Sequence, residues 1–450
     1  MPIINTLISL IQTGLGSLAA YLAAHVLLCL LPAFFIAGAL TALIPKETIT
    51  RFLGRDTPKW ISYPTAALGG FVLAVCSCTI MPLFAGIYKK GAGLGPAITF
   101  LFVGPAVNIL AISFTGVQIG MDIALARIVL SLVFGVLIGL LMAWIFRKND
   151  AHHQQENSQL FQQTAKVPVK NIVFFIILLA VLLSGTLQVK FLTREYISFE
   201  VNSGWVNNFQ ITLDELVPEN SALGIEGINI QGVVLIGLLF LIGITAIKGF
   251  ANVDQGFNSW TMTTLIITSL TLMIASVKLS IEGSSLVFGI TGRFFSEAIL
   301  ITAIWISAKY FFNQQELGSW LWETWRFVRQ ILPLLLVGVF TAGMARELIP
   351  ADWIETIAGK NTVGANFVSV LFGVFMYFPT LVEVPVAQTF LSLGMHRGPL
   401  LAYLLADPEL SLQSILITNT VIGKKKTAVY VIFVAIFSTI SGLLFGWFIS

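Results

Sequence analysis

Charge is what this sequence has least of: Asp, Glu, Lys and Arg make up 10% of its 450 residues, where an ordinary soluble domain carries about 25%. From Trp60 to Met121 only Lys89 and Lys90 are charged. A chain that is 56% hydrophobic, with a mean hydropathy of +0.89, lacks the polar coat needed to face water. The net charge of +3 is small and dispersed, which argues against a nucleic-acid partner. Cysteine is scarce too. The three present, Cys29, Cys76 and Cys78, cannot build a disulfide framework, and all lie in apolar stretches. There is no Walker-type phosphate loop, no zinc-type His/Cys spacing and no Ser/His/Asp set. Neither ATP hydrolysis by this chain nor other enzymatic chemistry is expected, and no cofactor. No basic region precedes the first apolar stretch and no small-residue cleavage site follows it, so no removable signal peptide is expected.

What the sequence does have is long apolar runs. They cover 1–45, 60–88, 91–121, 128–146, 171–189, 227–247, 255–277, 361–382 and 427–450, with shorter stretches around residues 300, 335 and 415. A helix needs about 20 such residues to cross a bilayer, so an all-α polytopic membrane protein of about 10 to 12 segments is expected. The polar stretch 147–170 has four basic and two acidic residues, and 190–226 has two basic and six acidic. One span separates them, and the positive-inside rule puts the first in the cytoplasm. Lys424, Lys425 and Lys426 then fall outside in a simple twelve-span count, unless one segment near them is re-entrant.

The chain repeats itself. An offset of 303 residues pairs Gly70 with Gly373, Pro82 with Pro385, Gly91 with Gly394, Gly95 with Gly398, Pro105 with Pro408, Gly120 with Gly423 and Gly139 with Gly442, without a gap. An offset of 305 pairs Gly54 with Gly359. Gly and Pro fix backbone shape, so the repeating unit is a fold. Two homologous bundles of Gly/Pro-interrupted helices are expected, 15–146 and 320–450. Between them lie the polar cytoplasmic loop 147–170 and a middle membrane segment, 171–319. With four spans between the bundles the two copies are expected to run parallel. Interrupted helices at corresponding places in two repeats point to a transporter with its site between them.

Within the repeats, Cys76-Ser77-Cys78-Thr79 precedes Pro82, and Gly104-Pro105 precedes Asn108. Prolines break helices, and broken helices at membrane depth are tolerated where the freed backbone lines a cavity. Two thiols beside such a break suit a soft metal or metalloid, so Cys76 and Cys78 are candidate metalloid contacts. Two buried structural cysteines, or a redox pair, remain alternatives. In the second copy Pro379 and Thr380 stand opposite Cys76 and Ser77, Glu383 opposite Ile80, and Asp407-Pro408 opposite Gly104-Pro105, with Ser411 opposite Asn108. A carboxylate within an apolar span is a functional candidate by default. Glu383 and Asp407 are candidate proton carriers; pairing of Glu383 with His396 or Arg397 is the structural alternative.

At these residues the sequence resembles the ArsP-type predicted permeases, which include the efflux permeases for trivalent organoarsenicals. The resemblance rests on Val-Cys-Ser-Cys-Thr at 75–79, the Gly-Pro-Ala-Val-Asn run at 104–108, Pro379-Thr380, Glu383-Val384-Pro385, and Gly423 with the three lysines that follow. It covers both repeats and leaves 150–315 unmatched. It implies inner-membrane export of a small toxic species, a trivalent organoarsenical in characterised relatives. The chain therefore reads as a secondary efflux permease, with a small-molecule or metalloid substrate and membrane lipid as its partners. A permease for another solute or metal ion, and a membrane thiol oxidoreductase, are the rivals. Asp407, where a second Gly-Pro is expected, departs from the family's pattern.

Overall fold

The computed structural model describes residues 2–24, 28, 30–44, 46–73, 77–107, 109–147, 168–187, 189–202, 204–217, 228–251, 253, 256–282, 285–347, 352–375 and 383–449. The first copy consists of α1 (Pro2–Ala24), α2 (Leu31–Leu43), α3 (Lys46–Leu53), α4 (Lys59–Leu73), α5 (Ser77–Lys89), α6 (Leu94–Ala106), α7 (Ile109–Gln118) and α8 (Met121–Ile145). The middle segment holds α9 (Val169–Thr186), α10 (Lys190–Thr193), β1 (Glu195–Asn202), α11 (Val206–Leu216), α12 (Ile230–Gly249), α13 (Ser259–Ala275), β2 (Val277–Glu282), β3 (Ser285–Thr291) and α14 (Gly292–Phe311). The second copy follows as α15 (Gln314–Glu347), α16 (Asp352–Ala358), α17 (Val363–Phe375), α18 (Glu383–Ser392), α19 (Arg397–Leu410), α20 (Leu412–Ile422) and α21 (Lys424–Ile449). Helices α8, α9, α12, α14 and α21 are each long and apolar enough to cross a bilayer, and α19 with α20, bent by 46°, forms a sixth such unit.

The chain is a mostly helical multi-pass membrane protein, with one feature the apolar runs do not announce. A three-stranded antiparallel sheet of order β1-β3-β2 forms in the middle segment. Its strands come from short stretches that flank the spans, where alternation over six to eight residues is a weak signal.

The offset of 303 residues is realised element by element: α4 to α8 recur as α17 to α21. Gly91 and Gly394 both take positive φ, 92° and 90°, in the turns after α5 and α18. Gly120 and Gly423 do so at 145° and 88° before α8 and α21. A side chain is strained in that region and glycine is not, which is why these positions repeat. Helix crossings recur as well. A methyl on Gly139 would meet the Gly95 carbonyl at 2.6 Å, and one on Gly442 would meet the Gly398 carbonyl at 2.5 Å. In lipid no hydrophobic force drives helices together, so close approach across small residues does much of the packing. Gly139→Val and Gly442→Val are each expected to cost about 1–3 kcal/mol by overpacking, read as a lower thermal midpoint in detergent. Wild-type midpoints in both would show that the crossings relax.

The run 60–88 reads as one span but forms two helices that share a face. The Gly93 N–H donates to the Leu53 carbonyl at 2.7 Å, so the turn before α6 sits beside the residues that lead into α4. Further in, a methyl on Gly70 of α4 would meet the Gly104 nitrogen of α6 at 2.9 Å. Helices α4 and α6 thus run side by side in the same direction from one face. Because α5 leads back to the turn before α6, α4 and α5 enter and leave by that face as a re-entrant hairpin. The second copy repeats this: the His396 N–H donates to the Ala358 carbonyl at 2.9 Å, and Gly373 of α17 packs against Asp407 of α19.

The two copies are inverted rather than parallel. Arg397 opens α19 and pairs with Asp122 in the first turn of α8 at 2.8 Å. Lys426, at the start of α21, donates to the Tyr88 hydroxyl near the end of α5 at 3.0 Å. In parallel copies those partners would lie at opposite faces. Counting spans from hydropathy gave the wrong parity because each hairpin reads as a crossing that the chain does not make. The inversion also removes the charge conflict, since Lys424–Lys426 come to the face where α8 ends at Arg147. A cysteine introduced at Lys425 is expected to react with an impermeant maleimide only from the cytoplasm, and one at Ser280 only from outside. Labelling of Lys425→Cys from outside would refute this topology.

Candidate functional site

Four helix junctions, two in each copy, connect the helices that meet at the interface between the copies. They lie between α4 and α5, α6 and α7, α17 and α18, and α19 and α20. Each hairpin's returning helix packs against the second half of the other copy's broken helix, α5 on α20 and α18 on α7. At one contact the Thr418 hydroxyl donates to the Met81 sulfur at 3.7 Å. At the edge of this region Ile80 of α5 packs against Gly104 of α6.

Several residues expected from the sequence meet here. Ser77 opens α5 and is buried, as are Thr79, Pro82, Gly104, Pro105, Glu383, Asp407 and Ser411. Ser411 stands at the N-cap position of α20 without a side-chain capping bond, its hydroxyl donating instead to the Ser414 hydroxyl at 2.7 Å. Cys76, Asn108, Pro379 and Thr380 lie outside the described residues. Cys78 is the second residue of α5, and its side chain is likewise outside them. The prolines do not themselves end the helices. Pro82 lies inside α5, while α6 and α19 continue past Pro105 and Pro408 to Ala106 and Leu410. A proline forbids only the hydrogen bond from its own nitrogen, so the helix can run on for a residue or two before it breaks.

Arg127 is the residue that sequence reasoning missed. It lies within α8, fully buried, and its Nη2 donates to Glu383 Oε2 at 3.0 Å. Glu383 is 1% exposed and sits in the first turn of α18, so the positive end of that helix faces it too. The structural alternative for Glu383 is thereby corrected in its partner: Arg397 is engaged by Asp122 at the membrane face, and His396 caps α19 through the Gly398 N–H. A charge buried within an apolar span is costly unless paired, which explains why the pair forms here.

The pair belongs to a larger polar group. Tyr430 of α21, also buried, donates to Glu409 Oε2 at 2.8 Å, and the Arg127 charge acts on Glu409 through space. Arg127 and Tyr430 are 303 residues apart, so the same position of the last span in each copy reaches a carboxylate of the second copy. The matching positions of the first copy are Ile80 and Ala106. Acidic groups thus come from one copy, and the cation from the other. Buried atoms without a hydrogen-bond partner among the described residues include Arg127 Nε and Nη1, Glu383 Oε1, Glu409 Oε1 and both amide atoms of Gln413. Such atoms cost free energy unless a ligand or water meets them.

A second buried carboxylate cluster lies in the middle segment. Ser184 donates to Glu297 at 2.5 Å, while Arg293 donates to the carbonyls of Ser184 and Leu187. It ties the end of α9 to the start of α14 and reads as a structural clamp. Among the described residues no group of three or more His, Cys, Asp or Glu is placed to hold a metal ion.

A family model described as a predicted permease matches residues 13–447. The chain belongs to that predicted permease family. On that membership the permease is a membrane transporter, built of helices. It is 32% identical over 446 residues to UPF0718 protein MJ0584 of Methanocaldococcus jannaschii, covering 99% of this chain and 98% of the relative. It is 22% identical over 116 residues to UPF0718 protein YcgR of Bacillus subtilis, which covers 25% of this chain and 39% of that protein. UPF0718 protein YraQ of Escherichia coli is 28% identical over 112 residues, 24% of this chain and 32% of that protein. No solved structure matches the permease.

Proposed function

We propose that the permease is a secondary exporter of a small thiophilic toxic species, a trivalent organoarsenical, driven by protons across a bacterial inner membrane. The observation that carries this reading is the meeting of two re-entrant hairpins and two broken helices at the interface of inverted repeats, where a buried ion pair joins one repeat to the other. Alternating access then comes from one repeat rocking against the other about a fixed site. Cys76 and Cys78 would hold the arsenic. Ser77, Thr79, Pro82, Gly104, Pro105, Asn108, Pro379, Thr380 and Ser411 would line the path. Arg127, Glu383, Asp407 and Glu409 would couple it to protons.

The test is expression in cells that lack arsenic efflux, challenged with trivalent methylarsenical or inorganic arsenite. Wild-type permease is expected to restore growth and lower cell-associated arsenic with the methylated compound. Cys76→Ser/Cys78→Ser, present at normal levels in the membrane, is expected not to. Protection that survives the double substitution favours a permease whose cysteines are structural. No protection by the wild type removes the arsenical.

A further inference from the structure

The face on which α8 ends carries a polar cleft of about 380 Å³ that the transport reading does not use. Its cations come from three places: Arg55 from the loop after α3, Lys59 from the start of α4, and Arg147 from the end of α8. Asp56 is the one acidic residue among its lining. Arg55, Lys59 and Arg147 take part in no ion pair or side-chain hydrogen bond among the described residues, although other surface cations do, such as Lys89 with Glu323 and Lys170 with Glu316. Three uncommitted cations converging on one concavity repel one another, so the arrangement favours an anion between them.

The inverted copy shows what this corner looks like when it is closed. There Asn361 donates to the Leu443 carbonyl at 2.9 Å and lies against Gly398 and Gly446. The first copy has Gly95, Leu140 and Ala143 at the matching positions, all on the cleft wall, and there the Tyr63 ring lies against Gly95 in place of the asparagine. The offset falls from 305 at Gly54 to 303 at Gly70, so the first copy carries two extra residues between them. Those extra residues lie in the stretch that supplies Arg55, Asp56 and Lys59.

Depth in the membrane narrows the ligand. Trp60 and Trp144 adjoin the cleft and are 77% and 75% exposed. Tryptophans so placed mark the headgroup level of a bilayer. Guanidinium groups match phosphate oxygens two at a time, and basic clefts between spans at the cytoplasmic face receive lipid phosphates. We infer that Arg55, Lys59 and Arg147 form a phosphoryl-anion site, whose ligand is the headgroup phosphate of an anionic phospholipid of the inner leaflet.

The full-length protein is purified, placed in nanodiscs of phosphatidylcholine with or without phosphatidylglycerol, and examined by native mass spectrometry for retained lipid. Wild type is expected to retain phosphatidylglycerol, and retention should weaken by roughly fivefold for each charge removed in Arg55→Ala, Lys59→Ala and Arg147→Ala. Lys278→Ala, on the opposite face, should retain it as wild type does. Inorganic phosphate added at millimolar concentration separates the sources: displacement of the lipid would identify a soluble phosphoryl ligand, and no displacement the headgroup. If the triple variant does not fold, Arg147→Glu alone at the exposed end of α8 carries the test. Wild-type retention by the triple variant, or by Arg147→Glu in its place, overturns the site. Arsenical transport by these variants is a separate readout, so failure here leaves the export reading untouched.

Discussion

Arg127→Met will destabilise the permease by about 3–5 kcal/mol, because it removes one half of a fully buried ion pair and leaves the Glu383 carboxylate buried and unpaired. The thermal midpoint in detergent should fall accordingly, and export should be lost. Stability loss alone does not separate a structural pair from a functional one. The double variant Arg127→Met/Glu383→Leu does. Replacing both partners of a buried pair with apolar groups is often neutral or stabilising, so the midpoint should return to near the wild-type value. If the pair serves transport, export stays absent in this well-folded protein. If export returns with stability, the pair is a clamp and the coupling role lies elsewhere. Arg127→Lys is the finer probe. It keeps the charge but not the planar fork, and with Nε and Nη1 without partners among the described residues, the loss should fall on transport more than on folding.

Arg127 also shows where sequence reading stops. It was legible in principle: one Arg inside an otherwise apolar helix from Met121 to Ile145 is a functional candidate by default. It is lost when apolar runs are delimited by their charges, since the run 128–146 begins just after it. The Gly and Pro framework was legible because those residues report backbone shape directly. Positive φ at Gly91, Gly120, Gly394 and Gly423, and the crossings at Gly139 and Gly442, fall where the 303 offset places them. Direction was not legible in the same way. An offset says which elements correspond but carries no sign, and 60–88 has the length and apolarity of a single crossing. Only contacts such as Arg397 with Asp122 and Lys426 with Tyr88, between residues hundreds of positions apart, fix the inversion. The sheet was hidden for another reason, since its pairing joins β1 to β3 across two intervening spans. Glu383 was visible as an apolar-span carboxylate, but its partner was sought nearby in sequence, at His396 and Arg397, because spacing cannot report a contact between copies.

Glu409→Gln should abolish proton-driven export while leaving substrate exchange across the membrane intact. Arg127 is the cation that, among the described residues, acts on both buried glutamates, and Glu383 already takes its hydrogen bond at 3.0 Å. Glu409 receives only the Tyr430 hydroxyl at 2.8 Å, with its other oxygen unpartnered among the described residues. A second full negative charge at this depth costs about 2.5–3.5 kcal/mol on insertion scales, so a proton or a cationic ligand has to accompany it. Because Glu383 and Glu409 belong to one repeat and Arg127 to the other, any rocking that parts the repeats also parts the ion pair. A proton arriving on the carboxylate being left, while Arg127 turns to the other, keeps the site neutral enough to move. Glutamine mimics the protonated Glu409 and fixes it. Export driven by an imposed pH gradient in proteoliposomes is then expected to drop by at least about tenfold, a barrier of about 1.4 kcal/mol or more. Exchange of labelled for unlabelled substrate at equal pH should persist near the wild-type rate. Tyr430→Phe removes only the hydroxyl's hydrogen bond, worth about 0.5–1.5 kcal/mol, and should shift the pH profile of export without abolishing it. Gradient-driven export by Glu409→Gln at the wild-type rate would place the coupling proton on Glu383 or Asp407.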